Sequence, residues 1–223
     1  MNSSLPFNYT PPADKGLDIL YQDDALLVVN KAAGLLSVPG RDEDKQDCLI
    51  NRVQIDYPSA RIVHRLDMAT SGAMVIALND EVHRQLSILF EKRNVKKRYV
   101  AVVDGIVKDK SGLIDLPLIT DWPNRPKQMI DHERGKPSRT QYQRMSVNKE
   151  SNTSRVELIP ETGRSHQIRV HLQSLGHAIL GDRLYASKEV IEKADRLLLH
   201  STLLSFEHPV TGELLEVTSV TPF

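Results

Sequence analysis

The residues best suited to chemistry lie in one short segment, HRLDMATSG, residues 64–72. If residues 61–67 form an extended strand, Arg65 and Asp67 project from the same side of it, two residues apart. A carboxylate that ends a strand, beside a turn of small residues, is accessible and can act as a nucleophile or a general base. A surface Arg–Asp pair has the same local pattern, and the segment alone does not distinguish the two.

Two other segments carry candidate functional side chains. Tyr99 follows the basic run KKR (96–98) at the start of a predicted strand. Its ring could stack on a base, and its hydroxyl could move a proton if the surroundings lowered its pKa; a half-buried structural tyrosine is the alternative. Gly163 and Arg164 precede a predicted helix that ends at Gly176. An arginine in a first helical turn is unfavourable for the helix dipole, which suggests a specific acidic partner for Arg164.

Several common chemistries lack their sequence signatures. His166 and His171 are five residues apart, which a helix does not place on one face, and HExxH is absent, so we predict no metal site. GxGxxG and GxxxxGK[ST] are also absent, so we predict no nucleotide cofactor. Cys48 is the one cysteine, placed inside a predicted amphipathic helix, and it excludes an internal disulfide. Two function classes remain: an enzyme that uses one key aspartate without a cofactor, and a binding module without catalytic activity.

The length and the order of the predicted elements indicate a globular α+β protein. A chain of 223 residues suits one large domain or two closely packed subdomains. Many short strands and three or four helices follow one another without regular βαβ alternation, which favours the α+β class. Residues 1–17, rich in Pro, Ser and Asn, are predicted to form a loosely packed arm before the domain at 18–223. Residues 121–140 contain three prolines and many charges, and they predict a protruding loop or irregular hairpin.

Charge is distributed unevenly along the chain. The formal net charge is zero, from 29 basic and 29 acidic side chains. Residues 91–144 carry 13 basic and 7 acidic side chains, whereas residues 1–60 carry 5 basic and 9 acidic ones. A basic middle segment is expected of a surface that binds phosphate, although a solvated protein face gives the same counts.

Taken together, the motifs resemble those of the RluA family of pseudouridine synthases. The resemblance covers nearly the whole chain and runs in order through GLLSVPGR (34–41), HRLDMATSG (64–72), KKRYVAVVDG (96–105), DLPLITDWPNRPKQ (115–128), TGRSHQIRVHLQSLGHAILGDRLY (162–185) and RLLLHS (196–201). It implies a mixed, mainly antiparallel central sheet with flanking helices, and two subdomains around a catalytic cleft. It also implies an isomerase that converts uridine to pseudouridine in RNA without a metal or other cofactor.

The resemblance assigns a role to each candidate residue. Asp67 would be the nucleophile, attacking either the ribose C1′ or the base C6. Tyr99 would stack on the base and is a candidate for moving a proton. Arg164 would pair with the Asp67 carboxylate, and Arg65 would enter the RNA stack in place of the extruded base. Leu198 or Leu199 would supply an apolar pocket wall.

These roles agree with the physics of the substrate. A base inside a stem cannot be reached unless the enzyme extrudes it, at a cost of a few kcal/mol. A planar guanidinium can fill the vacated space, because it stacks on bases as an ammonium does not. The basic loop would bind phosphates and loop bases through Trp122, Asn124, Arg125 and Lys127.

The choice of RNA rests on DLPLITDWPNRPKQ and the short N-terminus, which resemble family members that modify both a large-subunit rRNA hairpin and a tRNA anticodon stem-loop. We therefore expect rRNA and tRNA substrates, with no space for an S4-type domain before residue 18. We also expect a monomer without an obligate protein partner. The absence of a long apolar run or a secretory signal predicts no membrane partner and a cytoplasmic location.

Three alternatives stay open at this point. The first is a relative that acts on tRNA only or on rRNA only. The second is a non-catalytic RNA-binding protein that keeps the fold; loss of the aspartate or the tyrosine would be its signature, and this chain has both Asp67 and Tyr99. The third is a hydrolase that uses Asp67 on a glycosidic bond, which would normally need a second carboxylate as its acid.

Overall fold

Residues 9–223 are the part of the chain that the computed structural model describes. They form twelve strands and four α-helices, most of them arranged around one large sheet. In chain order the strands are β1 (Ile19–Gln22), β2 (Leu26–Lys31), β3 (Arg61–Ile62), β4 (Ser71–Ala77), β5 (Lys96–Asp104), β6 (Ser111–Asp115), β7 (Leu118–Thr120), β8 (Gln128–Ile130), β9 (Arg139–Asn148), β10 (Thr153–Pro160), β11 (Leu199–Glu207) and β12 (Leu214–Thr218), and the helices are α1 (Leu49–Asp56), α2 (Asp80–Glu91), α3 (Gln167–Ser174) and α4 (Lys188–Ile191).

The main sheet has ten strands and is mixed. Its hydrogen-bonded order is β1-β2-β4-β11-β5-β10-β9-β6, with β3 paired to β4 and β12 paired to β11. The β4–β11 pair is parallel, and the other strand pairs of the described chain are antiparallel. The predicted α+β class with a mainly antiparallel sheet is therefore confirmed. The main sheet is continuous over the described residues, and β7 and β8 form a separate hairpin.

Both faces of the central strands are buried. Along β2, Leu26 and Val28 contribute to one apolar cluster, whereas Leu27 and Val29 contribute to the other, as the two-residue period of a strand requires. Helix α2 covers the first face, and α1 and α3 cover the second. All seven residues of β4 are buried, so the strand that follows HRLDMAT is one of the most firmly packed elements.

Gly72 shows why a glycine ends the HRLDMATSG segment. It lies in β4, where the parallel partner β11 passes so close that a Cβ at this position would overlap the backbone of Ser201. Its φ of +114° is a conformation that side chains other than glycine rarely adopt. The close strand approach therefore depends on the missing side chain.

The helices match the sequence pattern apart from one boundary. Asn79 caps α2 by accepting a hydrogen bond from the Val82 amide, and α3 is followed by Gly176 with φ +81°. Helix α1 stops before Pro58, as predicted. Cys48 was expected inside that helix, but it lies at the N-cap position in an extended conformation, where it is fully buried.

One prediction about a chain segment is wrong. Strand β3 spans two residues only, so residues 61–67 do not form the extended strand that was expected to end at Asp67. The Thr70 amide donates to the Asp67 carbonyl, so residues 67–70 form a turn. In the described part of the predicted arm, residues 9–17, Tyr9 is buried and its hydroxyl donates to the Asp47 carbonyl at 2.9 Å, whereas residues 13–16 are exposed. The rest of the predicted arm lies outside the described residues.

Candidate active site

Asp67 lies in a cleft of about 640 Å³ on the face of the sheet that α1 and α3 cover. Six parts of the chain form its walls: residues 36–38, the loop 64–70, the end of α2 with residues 90–93, the start of β5 with Tyr99, the loop 160–166 with the first turn of α3, and the start of β11. About a quarter of the Asp67 side chain is exposed to solvent. The carboxylate is thus reachable, while its surroundings are largely dry.

The guanidinium beside Asp67 belongs to Arg169, not to Arg164. Arg169 Nη1 donates to Asp67 Oδ2 at 3.3 Å. The predicted pairing of Arg164 with the carboxylate is not formed within residues 9–223; Arg164 lines the same cleft instead. The reason is the start of α3: Arg164 precedes the helix, whereas Arg169 lies inside it and is directed to the interior.

Arg169 is itself held by a second carboxylate. Its Nε and Nη2 donate to the two oxygens of Asp182 at 2.8 and 2.6 Å, and both side chains are at least 95% buried. Burial alone would lower the pKa of Arg169, but the hydrogen bonds and charge of Asp182, together with Asp67, raise it. The paired geometry fixes the guanidinium plane, so that Asp67 meets a cation in a set orientation.

His166 forms a second contact with Asp67. Its Nε2 is 3.9 Å from Asp67 Oδ1, and its Nδ1 is 2.6 Å from the Tyr185 hydroxyl. That hydroxyl accepts a hydrogen bond from the Gln128 amide at 2.8 Å. Burial lowers the pKa of His166, with the Asp67 charge opposing it, so the imidazole is mainly neutral near pH 7. The β7–β8 hairpin is therefore connected to the Asp67 carboxylate through Tyr185 and His166.

Tyr99 lies in the cleft wall and is 9% exposed. Burial raises its pKa to about 12; the nearby Asp67 charge adds to this effect, and the Ser201 hydroxyl opposes it. Proton transfer from Tyr99 was predicted only if its surroundings lowered its pKa, and they raise it instead. The phenol is neutral at ordinary pH, and it can stack on a base or donate a hydrogen bond.

The loop that carries Asp67 is fixed from beneath by a lysine without exposed surface. Lys31 Nζ donates to the carbonyl oxygens of Ala32, Leu35 and Met68 at 2.9, 2.6 and 3.1 Å. Three acceptors match the three N–H bonds of an ammonium group. Because Met68 follows Asp67, this contact fixes the backbone next to Asp67. Burial lowers the pKa of Lys31 to about 7, against the opposing charge of Asp67.

Backbone and hydroxyl groups complete this support. The Ser37 hydroxyl donates to the Leu66 carbonyl at 2.8 Å and accepts from the Leu66 amide at 3.2 Å. The Gly34 amide donates to the Met68 carbonyl at 2.8 Å. The residues on either side of Asp67 are thus both bonded to the segment between β2 and α1.

The remaining predicted residues fall into two places. Arg65 is exposed and lines the cleft together with Asp67, and Leu199 is buried in the cleft wall. Of the two candidate leucines, Leu199 lines the cleft, whereas Leu198 packs against the core and is not part of its lining. The other four residues lie at the tip of the β7–β8 hairpin, outside the cleft lining: Trp122, Asn124, Arg125 and Lys127.

The hairpin tip presents an exposed aromatic and a cation together. Trp122 is 66% exposed, and the Arg125 guanidinium lies 4.5 Å from its ring centroid. Asn124 is used locally, because its side chain bonds to Asp121. Trp122 and Arg125 therefore offer a stacking surface of the kind that unpaired bases bind.

Sequence reasoning missed Lys31, His166, Arg169, Asp182 and Tyr185 as functional residues. One signal was available for Arg169, which interrupts the apolar face of a predicted helix between Ile168 and Val170. A charge at such a position needs a buried partner. Nothing local in the sequence indicated that Asp182 would supply it, or that Lys31 would lie beneath Met68.

Among residues 9–223 there is no group of three His, Cys, Asp or Glu side chains that could hold a metal ion. Over the same residues, no helix is both long enough and apolar enough to cross a membrane.

A family model described as RNA pseudouridylate synthase matches residues 25–174. The chain belongs to the RNA pseudouridylate synthase family. It is an isomerase of RNA uridines, and the family prediction made from the motifs is confirmed. The matched range contains Asp67, Tyr99, Arg164 and Arg169, whereas Asp182 and Tyr185 lie beyond it.

Relatives and solved structures agree with this assignment. The dual-specificity RNA pseudouridine synthase RluA of Escherichia coli (strain K12) is 55% identical over 205 residues, covering 92% of this chain and 93% of that protein. The protein of the same name from Vibrio vulnificus (strain CMCP6) is 49% identical over 204 residues, covering 90% and 82%. The structure of human RNA pseudouridylate synthase domain containing 1 matches with a TM-score of 0.79 at 30% identity, covering 96% of this chain and 87% of that one. The pseudouridine synthase fold is therefore confirmed.

Proposed function

We propose that Asp67 is the nucleophile of this pseudouridine synthase and that one cleft serves both a large-subunit rRNA hairpin and a tRNA anticodon stem-loop. The observation that carries the first part is the position of Asp67: a quarter-exposed carboxylate in a deep cleft, facing a fixed guanidinium and a buried tyrosine. The dual target is supported by similarity to relatives that are named dual-specificity enzymes. The enzyme acts as a monomer in the cytoplasm and needs no protein partner.

The reaction leaves the elemental composition of the nucleotide unchanged. Asp67 attacks the ribose C1′ or the base C6, and the C1′–N1 bond breaks. The uracil rotates within the cleft, C5 bonds to C1′, and the enzyme is regenerated. The C5 hydrogen is lost to solvent while N1 gains a proton, so an RNA tritiated at C5 releases tritium with each turnover.

The surroundings of Asp67 suit these steps. Arg169 compensates the charge of the carboxylate in the free enzyme without protonating it, because a guanidinium keeps its protons at working pH. Tyr99 and Leu199 offer a flat, apolar wall to the uracil ring, and Arg65 at the cleft rim can stack in the helix that the base has left. Arg164, also in the lining, is placed to contact the RNA backbone rather than the carboxylate.

Tritium release tests the proposal directly. Two unmodified RNAs, a tRNA anticodon stem-loop and a large-subunit rRNA hairpin, are incubated with wild-type protein and with Asp67→Asn. We expect release from both RNAs by the wild type and a loss of more than about a thousandfold in the variant, with RNA binding retained. Release from one RNA only would restrict the target, and turnover by Asp67→Asn would exclude the nucleophile assignment.

A matched control addresses the hydrolase alternative. Glu161 also lines the cleft, and its carboxylate is occupied by Arg139 at 3.0 Å and by the Gln141 amide. We expect Glu161→Gln to retain most activity, and chromatography of the products to show pseudouridine without free uracil. Free uracil, together with inactivation by Glu161→Gln, would instead indicate a glycosidase with two carboxylates.

A further inference from the structure

Lys97 lies beside the proposed reaction centre, and within residues 9–223 its side chain forms no hydrogen bond or ion pair. It precedes Tyr99 by two residues on β5, so both side chains are on the same face of the strand, about 7 Å apart along it. Both line the cleft. The Lys97 ammonium is 6.0 Å from the Phe90 ring centroid, and on its other side the loop passes at Gly163, where a Cβ would lie 3.8 Å from Nζ.

The floor beneath Lys97 carries no negative charge. Phe90 stacks on His64 with ring centroids 4.5 Å apart. Burial lowers the pKa of His64 to about 3, and Lys97 adds to this effect, so the imidazole is neutral. Its Nε2 accepts a hydrogen bond from the Val75 amide, which places the ring proton on Nδ1.

A second cation faces the same part of the cleft. Arg93 follows α2 with a left-handed φ of +60°, and it lines the cleft near Lys97. Burial and the charge of Arg93 both lower the pKa of Lys97. Within residues 9–223, no carboxylate lies within 4.0 Å of either cation, and Glu91, the nearest acidic residue in the chain that lines the cleft, pairs with neither of them.

Three other cations with little exposed surface are neutralised or bonded. Arg169 has Asp182 and Asp67, Arg52 has Asp47, and Lys31 has three carbonyl oxygens. Lys97 stands out because it is desolvated and repelled by a like charge in the free enzyme. A local arrangement that costs free energy without a compensating partner is expected where a ligand supplies the partner.

We propose that Lys97 and Arg93 form a subsite for one phosphodiester group of the RNA, next to the extruded uridine. The inference rests on the proposed function, because it takes the nucleotide at Asp67 and Tyr99 as the reference point. A phosphate would supply the negatively charged partner that neither cation has within residues 9–223. The compact ammonium of Lys97 would bind it as a point charge. With the base stacked on Tyr99, Lys97 two residues earlier on β5 would meet the phosphodiester backbone of the same or the neighbouring nucleotide.

Binding as a function of salt is the first test. The affinity of a tRNA anticodon stem-loop is measured by fluorescence anisotropy between 50 and 200 mM KCl for wild type, Lys97→Gln and Lys96→Gln. We expect Lys97→Gln to bind about tenfold more weakly and its salt slope to fall by about one. Lys96 is the matched control, because it is exposed, adjacent in sequence and on the opposite strand face. Equal effects of the two variants would reject a specific subsite.

Replacing single phosphates identifies the contact. Each linkage from two nucleotides 5′ to two nucleotides 3′ of the target uridine is changed in turn to an uncharged methylphosphonate. We expect one linkage at which the change weakens wild-type binding about tenfold but hardly affects Lys97→Gln. Additive effects at every linkage would overturn the proposal.

Two further measurements separate the possible failures. Lys97→Gln is expected to unfold at the same temperature as wild type or a higher one, because it removes an unpaired, repelled cation; a lower temperature would indicate a structural role and reject the subsite. Wild-type tritium release from the same RNA tests the proposed function separately. Release combined with additive phosphate effects rejects the subsite alone, whereas no release rejects the proposed function on which the subsite rests.

Discussion

The loop that carries Asp67 and the β7–β8 hairpin differ sharply in how they are held. The loop is fixed by buried groups on three sides: Lys31 at Met68, Ser37 at Leu66 and Arg169 at Asp67. The hairpin has three residue pairs, an exposed tip and one side-chain anchor, the bond from the Gln128 amide to the Tyr185 hydroxyl. The proposed roles follow this difference: Asp67, the proposed nucleophile, lies in the fixed loop, whereas the residues proposed to contact RNA loops lie at the exposed tip. Reaction needs a fixed geometry, whereas a variety of RNA loops is better met by an exposed surface.

The largest effect is expected where the fixed region loses its buried ion pair. Arg169→Met leaves Asp182, which is 1% exposed, as an unpaired buried carboxylate, and it also removes the cation beside Asp67. We expect the free energy of unfolding to fall by about 3–5 kcal/mol and tritium release to fall at least about a hundredfold. Urea denaturation measures the first quantity.

The double variant Arg169→Met, Asp182→Asn separates stability from catalysis. Asparagine retains an oxygen that can accept from the Leu184 amide, as Asp182 Oδ1 does at 3.0 Å, but it carries no charge. We expect stability to recover in large part while activity stays low, because Asp67 still lacks its guanidinium. Recovery of both would show that Arg169 serves stability alone.

The second largest effect is expected at Lys31, whose ammonium bonds three carbonyl oxygens beneath the Asp67 loop. Lys31→Met fills a similar volume but leaves three buried carbonyl oxygens without their donor, so we expect unfolding to become easier by about 1–3 kcal/mol. Because the backbone at Met68 is then less fixed, kcat should fall about tenfold with KM nearly unchanged. A rise in KM at constant kcat would show that Lys31 does not position the catalytic loop.

Lys31 also predicts a pH dependence of stability. Its pKa is about 7 in the folded protein and 10.5 is the ordinary value, so between these pH values the unfolded chain binds the extra proton. The free energy of unfolding of wild type should therefore rise, relative to Lys31→Met, as pH increases from about 7 to about 10.5. A constant difference between the two proteins over this range would show that the three carbonyl acceptors hold the pKa at its ordinary value.

How much the sequence could predict follows the same division between regions. The α2 and α3 helices are predictable, because apolar periodicity and the Asn79 and Gly176 signals are local, whereas the mixed sheet was implied by the family resemblance. Asp67 is also recognisable from a contiguous motif. The partner of Asp67 is not, because whether Arg164 or Arg169 reaches it depends on where α3 begins and on Asp182, more than ten residues away in the chain.

The third effect tests the connection between the two regions. Tyr185→Phe removes the hydroxyl that accepts from the Gln128 amide and contacts His166. We expect a moderate loss, about three- to tenfold in kcat/KM, because both the hairpin anchor and the position of His166 are loosened. Tyr57→Phe, at the end of α1 and outside the cleft lining, is the control. Equal activity of the two variants would indicate that the hairpin and Asp67 function independently.

The smallest effect on kcat is expected at the hairpin tip. Trp122→Ala removes an exposed ring that contacts Arg125 but no residue of the cleft, so kcat and stability should stay close to wild type. Loss of one stacking surface should raise KM about fivefold or more, because stacking of one base is worth about 1–3 kcal/mol. Trp122→Phe, which keeps an aromatic face, should recover most of the affinity. A large fall in kcat with unchanged KM would contradict the proposed separation of catalysis from RNA binding, because it would show that the hairpin tip contributes to the chemical step.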